Sequence, residues 1–449
     1  MPLIEPRTLK GFRDYLPEVM IPRERMIETA RRVYRSFGFV PIDTPALEYT
    51  EILLGKGGAE TDKQLYRFED NGGRDVALRF DLTVPLARFV AQYSNELGLP
   101  FKRYHIASVW RGENTQKGRY REFMQCDFDT IGVEHGAADI ETALVIHDLM
   151  RALGFSEFKI RVNNRKLLGG VLEKLDLAEH LVPVLRVIDK VDKIGVDAMS
   201  AELAQATGRT QAQLADLINL INWKQTTSVF AKHGGADASM FDLIYPTTRG
   251  NEQAERGYDE LRSLVDACHA AGVSGNHLVP DISIARGLDY YTGTVFETVL
   301  DQLPTIGSVC SGGRYDNLAQ LYTNQKLPGI GASLGLDRLL AAMEELGMIE
   351  KRRASAPILL TYFDAARLNE YLALAVDLRK AGLGVEFYPE PKKLGAQLKY
   401  ADRRGFRVAL VVGEDEWKSG TCQVKELATQ TSRAVPFADL ARELAVYAS

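Results

Sequence analysis

Phe101-Lys-Arg-Tyr-His-Ile-Ala-Ser-Val-Trp-Arg-Gly-Glu113, a polar loop from Asn114 to Gly118, and Arg119-Tyr-Arg-Glu-Phe-Met-Gln-Cys-Asp-Phe-Asp129 read together as a hairpin with a long charged loop. Side chains alternate across a strand. Arg121, Phe123, Gln125, Asp127 and Asp129 therefore share one face of the return strand, and Met124, Cys126 and Phe128 share the other. A face carrying two aspartates, a glutamine and an arginine, set against a clearly apolar face, is either solvated or the floor of an active site. Gln125 and Asp129 stand four residues apart, roughly 13 Å along a strand. That spacing lets them bracket a small ligand from its two ends.

Further along, Arg286-Gly-Leu-Asp-Tyr-Tyr-Thr-Gly-Thr-Val-Phe-Glu297 places a cation and two adjacent tyrosines ahead of a run that alternates like a strand. Arg286 offers a fixed fork of donors suited to a phosphate or carboxylate. Tyr290 and Tyr291 offer flat apolar faces with a polar tip, suited to holding a small ring. Two glycine-bearing stretches follow, Cys310-Ser-Gly-Gly-Arg-Tyr-Asp-Asn-Leu318 and Gly329-Ile-Gly-Ala-Ser-Leu-Gly-Leu-Asp-Arg-Leu339. Their glycines let backbone approach a ligand closely, and the second continues into an amphipathic helix with Arg338 at its start.

Upstream, Pro22 suits the first turn of a helix, with Met26, Ala30, Val33 and Phe37 at helical spacing and Gly38 as its C-terminal cap. Phe39-Val-Pro-Ile-Asp-Thr-Pro45 then reads as extended, and its two prolines suggest a sheet edge or an interface. Residues 76–83 alternate, which predicts a strand with Val76, Leu78, Phe80 and Leu82 on one face and Arg79, Asp81 and Thr83 on the other. Asp81 beside Thr83 could hold an amine.

The chain has 449 residues, 45% hydrophobic and 26% charged, a composition of globular proteins with ample core. That length suggests about three domains. The net charge of −5 excludes a protein coated in positive charge for generic nucleic-acid binding and leaves room for a local basic patch. Four scattered cysteines, with no C-x-x-C pair, support neither a disulfide framework nor a structural zinc site. The N-terminus is too charged for a signal peptide and no apolar run is long enough to cross a membrane, so a cytoplasmic protein is expected.

Residues 139–153 read as an amphipathic helix, and about 166–270 as a mainly helical insertion without a catalytic constellation. Residues 351–357 read as a linker. Beyond them strands and helices alternate in a small α/β domain, with Lys392, Lys393, Lys399, Arg403 and Arg404 concentrating positive charge as a candidate RNA contact.

Taken together these segments resemble the class II aminoacyl-tRNA synthetases, and within them the histidyl family, over nearly the whole chain. Residues 22–48 look like the first class II motif, Trp110-Arg-Gly-Glu113 with the loop to Phe123 like the second, and Gly329 to Arg338 like the third. The stretches 286–297 and 311–318 resemble the two histidyl signatures. The resemblance implies an α/β (α+β) fold. It comprises a catalytic core on an antiparallel sheet (1–165 and 271–350), the helical insertion (166–270) and a C-terminal α/β anticodon-binding domain (357–449). It implies ATP, carried with Mg2+ and held by no dedicated protein cage, L-histidine and a histidine tRNA as substrates, and a homodimer. By the same resemblance Arg111 and Arg286 are catalytic at the α-phosphate, the latter in place of a metal ion, while Arg111, Glu113, Phe123 and Arg338 bind ATP. Asp81, Leu82, Thr83 and Gln125 hold the α-amino end of histidine, and Asp129 and Tyr291, with Tyr290 beside them, hold the imidazole.

The chain departs from the family's common pattern at Asp81, where Glu is frequent, at Asn114, where Arg is common, and at Asp337, where many class II enzymes carry Glu. The competing reading is a non-catalytic paralogue serving as regulatory subunit of ATP phosphoribosyltransferase. The intact Arg286, Tyr290 and Tyr291 and the C-terminal domain argue against it.

Overall fold

The computed structural model describes residues 3–54, 62–188, 190–222, 236–284, 290–350 and 352–447. The chain forms two compact units, Met1–Arg13 with Met26–Leu346, and Asp14–Arg25 with Gly347–Ser449.

In the first unit the described strands are β1 (Val40–Pro41), β2 (Leu47–Tyr49), β3 (Arg67–Glu69), β4 (Asp75–Leu78), β5 (Phe101–Trp110), β6 (Glu122–Ile131), β7 (Phe158–Asn164), β8 (Leu278–Pro280), β9 (Thr294–Leu300), β10 (Cys310–Tyr315) and β11 (Gly329–Gly335). Eight of them form one sheet in the order β1-β5-β6-β11-β10-β9-β7-β8. Every pairing from β5 to β7 is antiparallel, and only the outermost strands β1 and β8 join parallel. The hairpin expected over 101–129 is the β5–β6 pair, and the proline-bearing segment ends up on the sheet edge as β1, where a missing N–H costs no ladder bond.

The two faces of β6 have different neighbours. Phe128 packs on Tyr34 with ring centroids 5.1 Å apart, and the Tyr34 hydroxyl donates to the Cys126 carbonyl at 2.9 Å. That apolar contact fixes which way β6 faces, so Gln125, Asp127 and Asp129 turn toward the other side. All three are buried, which selects the active-site floor over the solvated face. The glycine-bearing stretches are the neighbouring strands β10 and β11. Gly331 lies opposite Asp129, where an added Cβ would sit 2.2 Å from Asp129 Oδ1. No side chain fits there without displacing the carboxylate.

Two expectations are corrected. The N-terminal helix runs Pro17–Ser36, so Pro22 lies inside it; Pro17 takes the first position, and the Leu16 carbonyl accepts from Val19 and Met20 N–H at 2.9 Å each. The run 76–83 is a strand only to Leu78, and Thr83–Leu97 is a helix. Asp81 Oδ1 accepts the Val84 N–H at 3.1 Å and Pro85 stands in the first turn, two helix-start signals that override the alternation.

The segment 166–270 is mainly helical among its described residues. Its flanking helices Arg165–Lys174 and Glu252–Ala270 are capped by Asn164 and Asn251. Each capping amide also donates to a glutamate of the other helix, Asn164 to Glu260 and Asn251 to Glu173, at 2.9 Å. The pair therefore caps and cross-links itself with the same two residues.

In the second unit β12 (Ile358–Leu360), β13 (Val385–Phe387), β14 (Val408–Val411), β15 (Thr421–Glu426) and β16 (Ser432–Pro436) form a sheet in the order β13-β12-β14-β15-β16. The expected alternation of strands and helices is present, and β15–β16 adds an antiparallel hairpin beyond that expectation. Lys392, Lys393, Lys399 and Arg403 are exposed, whereas Arg404 is half-buried with its guanidinium 6.0 Å from the Tyr400 ring.

On β10, buried Arg314 ties the first unit together: its Nε lies 3.1 Å and 3.2 Å from the two oxygens of Asp139, and its Nη1 donates to Val133 O at 2.9 Å. Removing one partner of a buried pair strands the other charge. Asp139→Ala is expected to lower stability by about 3–5 kcal/mol, and a paired apolar replacement of Arg314 and Asp139 to recover most of the loss. Urea denaturation followed by circular dichroism reads both effects, and an Asp139→Ala protein as stable as the parent would contradict the assignment.

Candidate active site

The floor is built by cross-strand pairing. Arg103 on β5 stands directly opposite Asp129 on β6, and its Nη2 lies 2.7 Å from Asp129 Oδ2 with both side chains buried. The Tyr315 hydroxyl, from β10, donates to Asp129 Oδ1 at 2.5 Å. Asp129 is thus held from two sides and keeps lone pairs for a further donor. Two residues along the strand, Asp127 faces Ser333 of β11, whose hydroxyl opposes the rise of its carboxyl pKa. Ser333 Oγ in turn accepts from Gln125 Nε2 at 2.7 Å.

Asp81, Leu82 and Thr83 enter from the start of the Thr83–Leu97 helix. The Leu82 carbonyl accepts from Arg103 Nη2 at 3.3 Å, so this turn is pinned to the same guanidinium as Asp129. Thr83 opposes the rise in pKa of the Tyr290 phenol that burial causes. Tyr290 stands edge-on to Tyr291 and to Tyr315, with centroids 5.1 Å and 5.9 Å apart. Tyr291 reaches this wall because Gly313 lacks a side chain: a Cβ there would lie 3.0 Å from Tyr291 Cδ1 and 2.7 Å from the Thr294 carbonyl.

Next to the floor lies a cleft lined by Arg111, Glu113, Phe123, Gln125, Ser333 and Arg338, among others. Arg111 Nε donates to the Phe80 carbonyl at 2.8 Å and its guanidinium sits 5.2 Å from the Phe123 ring centroid. Glu113 lies between two cations, 3.7 Å from Arg111 and 3.9 Å from Arg119. Arg338 donates to the Ser308 carbonyl. Asp337 Oδ2 accepts the Met124 N–H at 2.7 Å, tying the head of the Leu336–Glu345 helix to β6. An aromatic face and three guanidinium groups, against the two carboxylates of Glu113 and Asp337, make a cleft suited to a nucleotide's ring and phosphates.

Burial dominates the acid–base behaviour of the floor. It pushes the Asp81 carboxyl up to about 6, against the Val84 N–H and the charges of Arg111 and Arg103. It pushes Asp127 up to about 7, with the charges of Asp129 and Asp81 adding to the rise and Arg103 opposing it. Asp129 is raised by the same desolvation, opposed by Arg103 and the Tyr315 hydroxyl. Tyr290, Tyr291 and Tyr315 are raised by burial and by these carboxylates, so they remain neutral donors. His105, opposite Asp127 on β5, is pushed down to about 4 by burial and by Arg103 and Arg79.

The structure brings Asp81, Leu82, Thr83, Gln125, Asp129, Tyr290 and Tyr291 around one floor, and Arg111, Glu113, Phe123 and Arg338 into the adjoining cleft. Arg286 lies outside the described residues. Arg103, Asp127, Tyr315 and Ser333 belong to the same floor, and sequence reading assigned them no role. Register explains Arg103: a long hairpin loop leaves pairing open, so its partner Asp129 could not be counted off. Tyr315 and Ser333 lie on glycine-bearing stretches, read from the sequence only as places where backbone approaches a ligand closely and not as strands.

A family model described as histidyl-tRNA synthetase matches residues 11–339. The chain belongs to the histidyl-tRNA synthetase family. A second model, anticodon binding domain, matches residues 360–446. Among curated relatives, the histidine–tRNA ligase of Rhodopirellula baltica is 57% identical over 435 residues, covering 97% of this chain and 96% of that protein. The crystal structure of histidyl-tRNA synthetase from Nostoc sp. PCC 7120 superposes with a TM-score of 0.89 at 33% identity, covering 99% of this chain and all of that one. A Bacillus halodurans chain described as an ATP phosphoribosyltransferase regulatory subunit/histidyl-tRNA synthetase has a TM-score of 0.71 at 22% identity, covering 89% of this chain and 97% of that one; it shares the fold.

The raised carboxyls make ligand-free stability pH-dependent. A carboxyl whose folded pKa lies above its ordinary value of 3.8 contributes stability that is full below that ordinary value. The contribution is lost as pH rises through the folded value, here about 6 for Asp81 and about 7 for Asp127. Asp127→Asn removes its share. The ligand-free variant is therefore expected to exceed the parent in stability at pH 8, with the difference shrinking toward pH 4. Every tenfold weakening of proton release on folding is worth about 1.4 kcal/mol. Urea midpoints at pH 4, 6 and 8 check this, and a difference independent of pH refutes it.

Proposed function

We propose that the floor and cleft activate histidine with ATP and pass the histidyl group to the 3′ end of a histidine tRNA. The carboxylate oxygen of histidine attacks the α-phosphorus. A C–O–P bond forms, the bond to the bridging oxygen breaks, and pyrophosphate leaves. A ribose hydroxyl of the tRNA then attacks the adenylate carbonyl and AMP departs. The single observation that carries this reading is the juxtaposition of the Asp129–Tyr315–Tyr291 wall with the Arg111–Phe123–Arg338 cleft across Gln125. It offers a buried acceptor and a neutral phenol at one end of a short floor, and guanidinium groups at the other.

In this proposal Asp129 and Tyr291 take the two imidazole nitrogens, with Tyr290 packed beside them. Asp81, Leu82, Thr83 and Gln125 hold the α-amino end. Phe123 and Arg338 hold the adenine ring, and Glu113 sits beside the triphosphate, which arrives with Mg2+. Arg111 and Arg286 stabilise the charge that grows on the α-phosphate during attack. A site that hydrogen-bonds both ring nitrogens leaves buried groups unpaired with any other amino acid and can discriminate by about 10⁴–10⁵ without editing.

The reading extends to the whole chain. The core, 1–165 and 271–350, carries the chemistry; 166–270 is an insertion; and 357–449 contacts the anticodon, a role supported by the family model there and by exposed Lys392, Lys393, Lys399 and Arg403. A homodimer is supported by the open edge at β1 and by exposed Val40, Leu47, Tyr49, Phe68 and Tyr93 in the first unit. No described helix is long and apolar enough to cross a membrane, and a cytoplasmic location fits the proposed work.

Histidine-dependent ATP–pyrophosphate exchange is the test. Histidine alone among the amino acids is expected to support it, with Arg111→Ala and Arg286→Ala each lowering kcat by roughly 10²–10³. Replacing Lys392, Lys393, Lys399 and Arg403 together is expected to spare exchange and weaken tRNA charging with a shallower salt dependence. Exchange with a different amino acid, or with none, would overturn the reading.

A further inference from the structure

Four acceptor atoms in the floor are buried and without a hydrogen-bond partner among the described residues: Asp81 Oδ2, Gln125 Oε1, Asp127 Oδ1 and Asp129 Oδ2. The last lies 2.7 Å from Arg103 Nη2, which leaves three with no close cation among those residues. Leaving a buried polar atom unpaired is unfavourable by about 1–3 kcal/mol, more for a charged group, so three in one region mark a place built for a donor. Their other atoms are spoken for in ways that fix their orientation. Asp81 Oδ1 caps the helix through Val84. Gln125 Nε2 is committed to Ser333, which turns its Oε1 away from that bond. Asp127 is 1% exposed and shares the strand face of Gln125 and Asp129. The charge of Asp81 acts on Asp127, which locates the two carboxyls in one neighbourhood although they come from different elements.

The charge balance points the same way. Asp81, Asp127 and Asp129 are three buried carboxyls, and Arg103 is the fully buried cation among them. The Arg103 guanidinium is oriented by Asp129 and the Leu82 carbonyl. Its charge reaches Asp81 and Asp127, and that of Arg111 reaches Asp81. Among the described residues neither carboxyl stands in a close ion pair like that of Asp129, which leaves room for a cation the ligand brings. A water molecule has two protons to donate and no charge. A primary ammonium has three donors and a full positive charge, matching the three orphan acceptors in number and sign.

We infer that Asp127 is a third ligand for the α-ammonium group of histidine, completing with Asp81 Oδ2 and Gln125 Oε1 a cradle of three acceptors. This rests on the proposed placement of the amine at Asp81 and Gln125, and adds a residue that placement does not include. Ser333 acts as the positioning residue: standing opposite Asp127 across the strands and accepting from Gln125, it sets both acceptors toward the same point. The floor then recognises histidine at three stations along β6, with Asp129 at the imidazole, and Asp127 and Gln125 at the amine.

The test uses two histidine analogues on the full-length protein, with binding read by calorimetry. Histidinol keeps the ammonium and the imidazole; 3-(imidazol-4-yl)propionate keeps the imidazole and lacks the ammonium. Asp127→Asn is expected to weaken histidinol by on the order of 10- to 100-fold, the range for one charge-assisted hydrogen bond, while leaving the propionate and the KM for ATP unchanged. Equal weakening of both analogues would mean a structural role and overturn the inference, as would unchanged histidinol binding. Asp81→Asn separates the two levels. If it weakens histidinol selectively and Asp127→Asn does not, Asp127 alone is misassigned; if the parent itself gains nothing from the ammonium, the amine site is misplaced. Should Asp127→Asn fail to fold, a crystal structure of the parent with histidinol decides: an ammonium nitrogen within about 3 Å of the Asp127 carboxylate is expected, and one beyond hydrogen-bonding distance overturns the inference.

Discussion

The buried ion pair between Arg103 and Asp129 is the constraint on which the site depends. Withdrawing two charges from water carries a penalty of several kcal/mol per ion, and only close geometry with further hydrogen bonds recovers it. Here the recovery comes from three directions: the opposing strand position of Arg103, the Tyr315 hydroxyl and the Leu82 carbonyl. Each of these comes from a different element. The pair therefore registers β5, β6, β10 and the start of the Thr83–Leu97 helix against one another. Asp129 is locked in position as an acceptor before any ligand arrives, the preorganisation that the proposed recognition of an imidazole N–H needs to be discriminating.

A second consequence is a deficit of positive charge. Asp81 and Asp127 lie in the same low-dielectric floor, and burial raises both toward neutrality. As pH falls through about 7 for Asp127 and about 6 for Asp81, a proton takes the place of a counter-ion in the free protein, and in the proposed reading an amino acid's ammonium replaces it. Stability of the empty site and affinity for the substrate are then opposed, as in sites that store unfavourable electrostatics for use on binding. The neighbouring cleft has the reverse balance, with Arg111, Arg119 and Arg338 around one glutamate. Between a floor that wants a cation and a cleft that wants an anion, the proposed binding mode turns a zwitterionic amino acid's carboxylate toward the polyphosphate.

Close backbone packing makes this arrangement possible. Gly331 and Gly313 leave the volumes that the Asp129 carboxylate and the Tyr291 ring occupy. The fold by itself does not confer the chemistry: the Bacillus halodurans chain shares the architecture at a TM-score of 0.71 with 22% identity, and such likeness is compatible with different activities. What distinguishes a catalytic member is the particular set of side chains on the β6 face and in the cleft.

Local patterns in the sequence carried much of this. Alternation exposed the β6 face; the strand–helix alternation after 357 outlined the C-terminal unit; the proline pair marked an edge strand. These are short-range properties, written within a few residues by the period of a strand or helix. Alternation misled at 79–83, where Asp81 capping and Pro85 turned an apparent strand into a helix start. The β15–β16 hairpin also went unread, although Cys422 and Val424 alternate within it. Glycine-rich β10 and β11 were not legible as strands because glycine is a poor strand former on its own. What only the tertiary structure decided was pairing at a distance: Arg103 against Asp129, Ser333 opposite Asp127 and bonded to Gln125, Tyr315 on Asp129. A strand's own sequence states which side chains share a face, while its register with a neighbour depends on loops, packing and the glycines that let one backbone close on another.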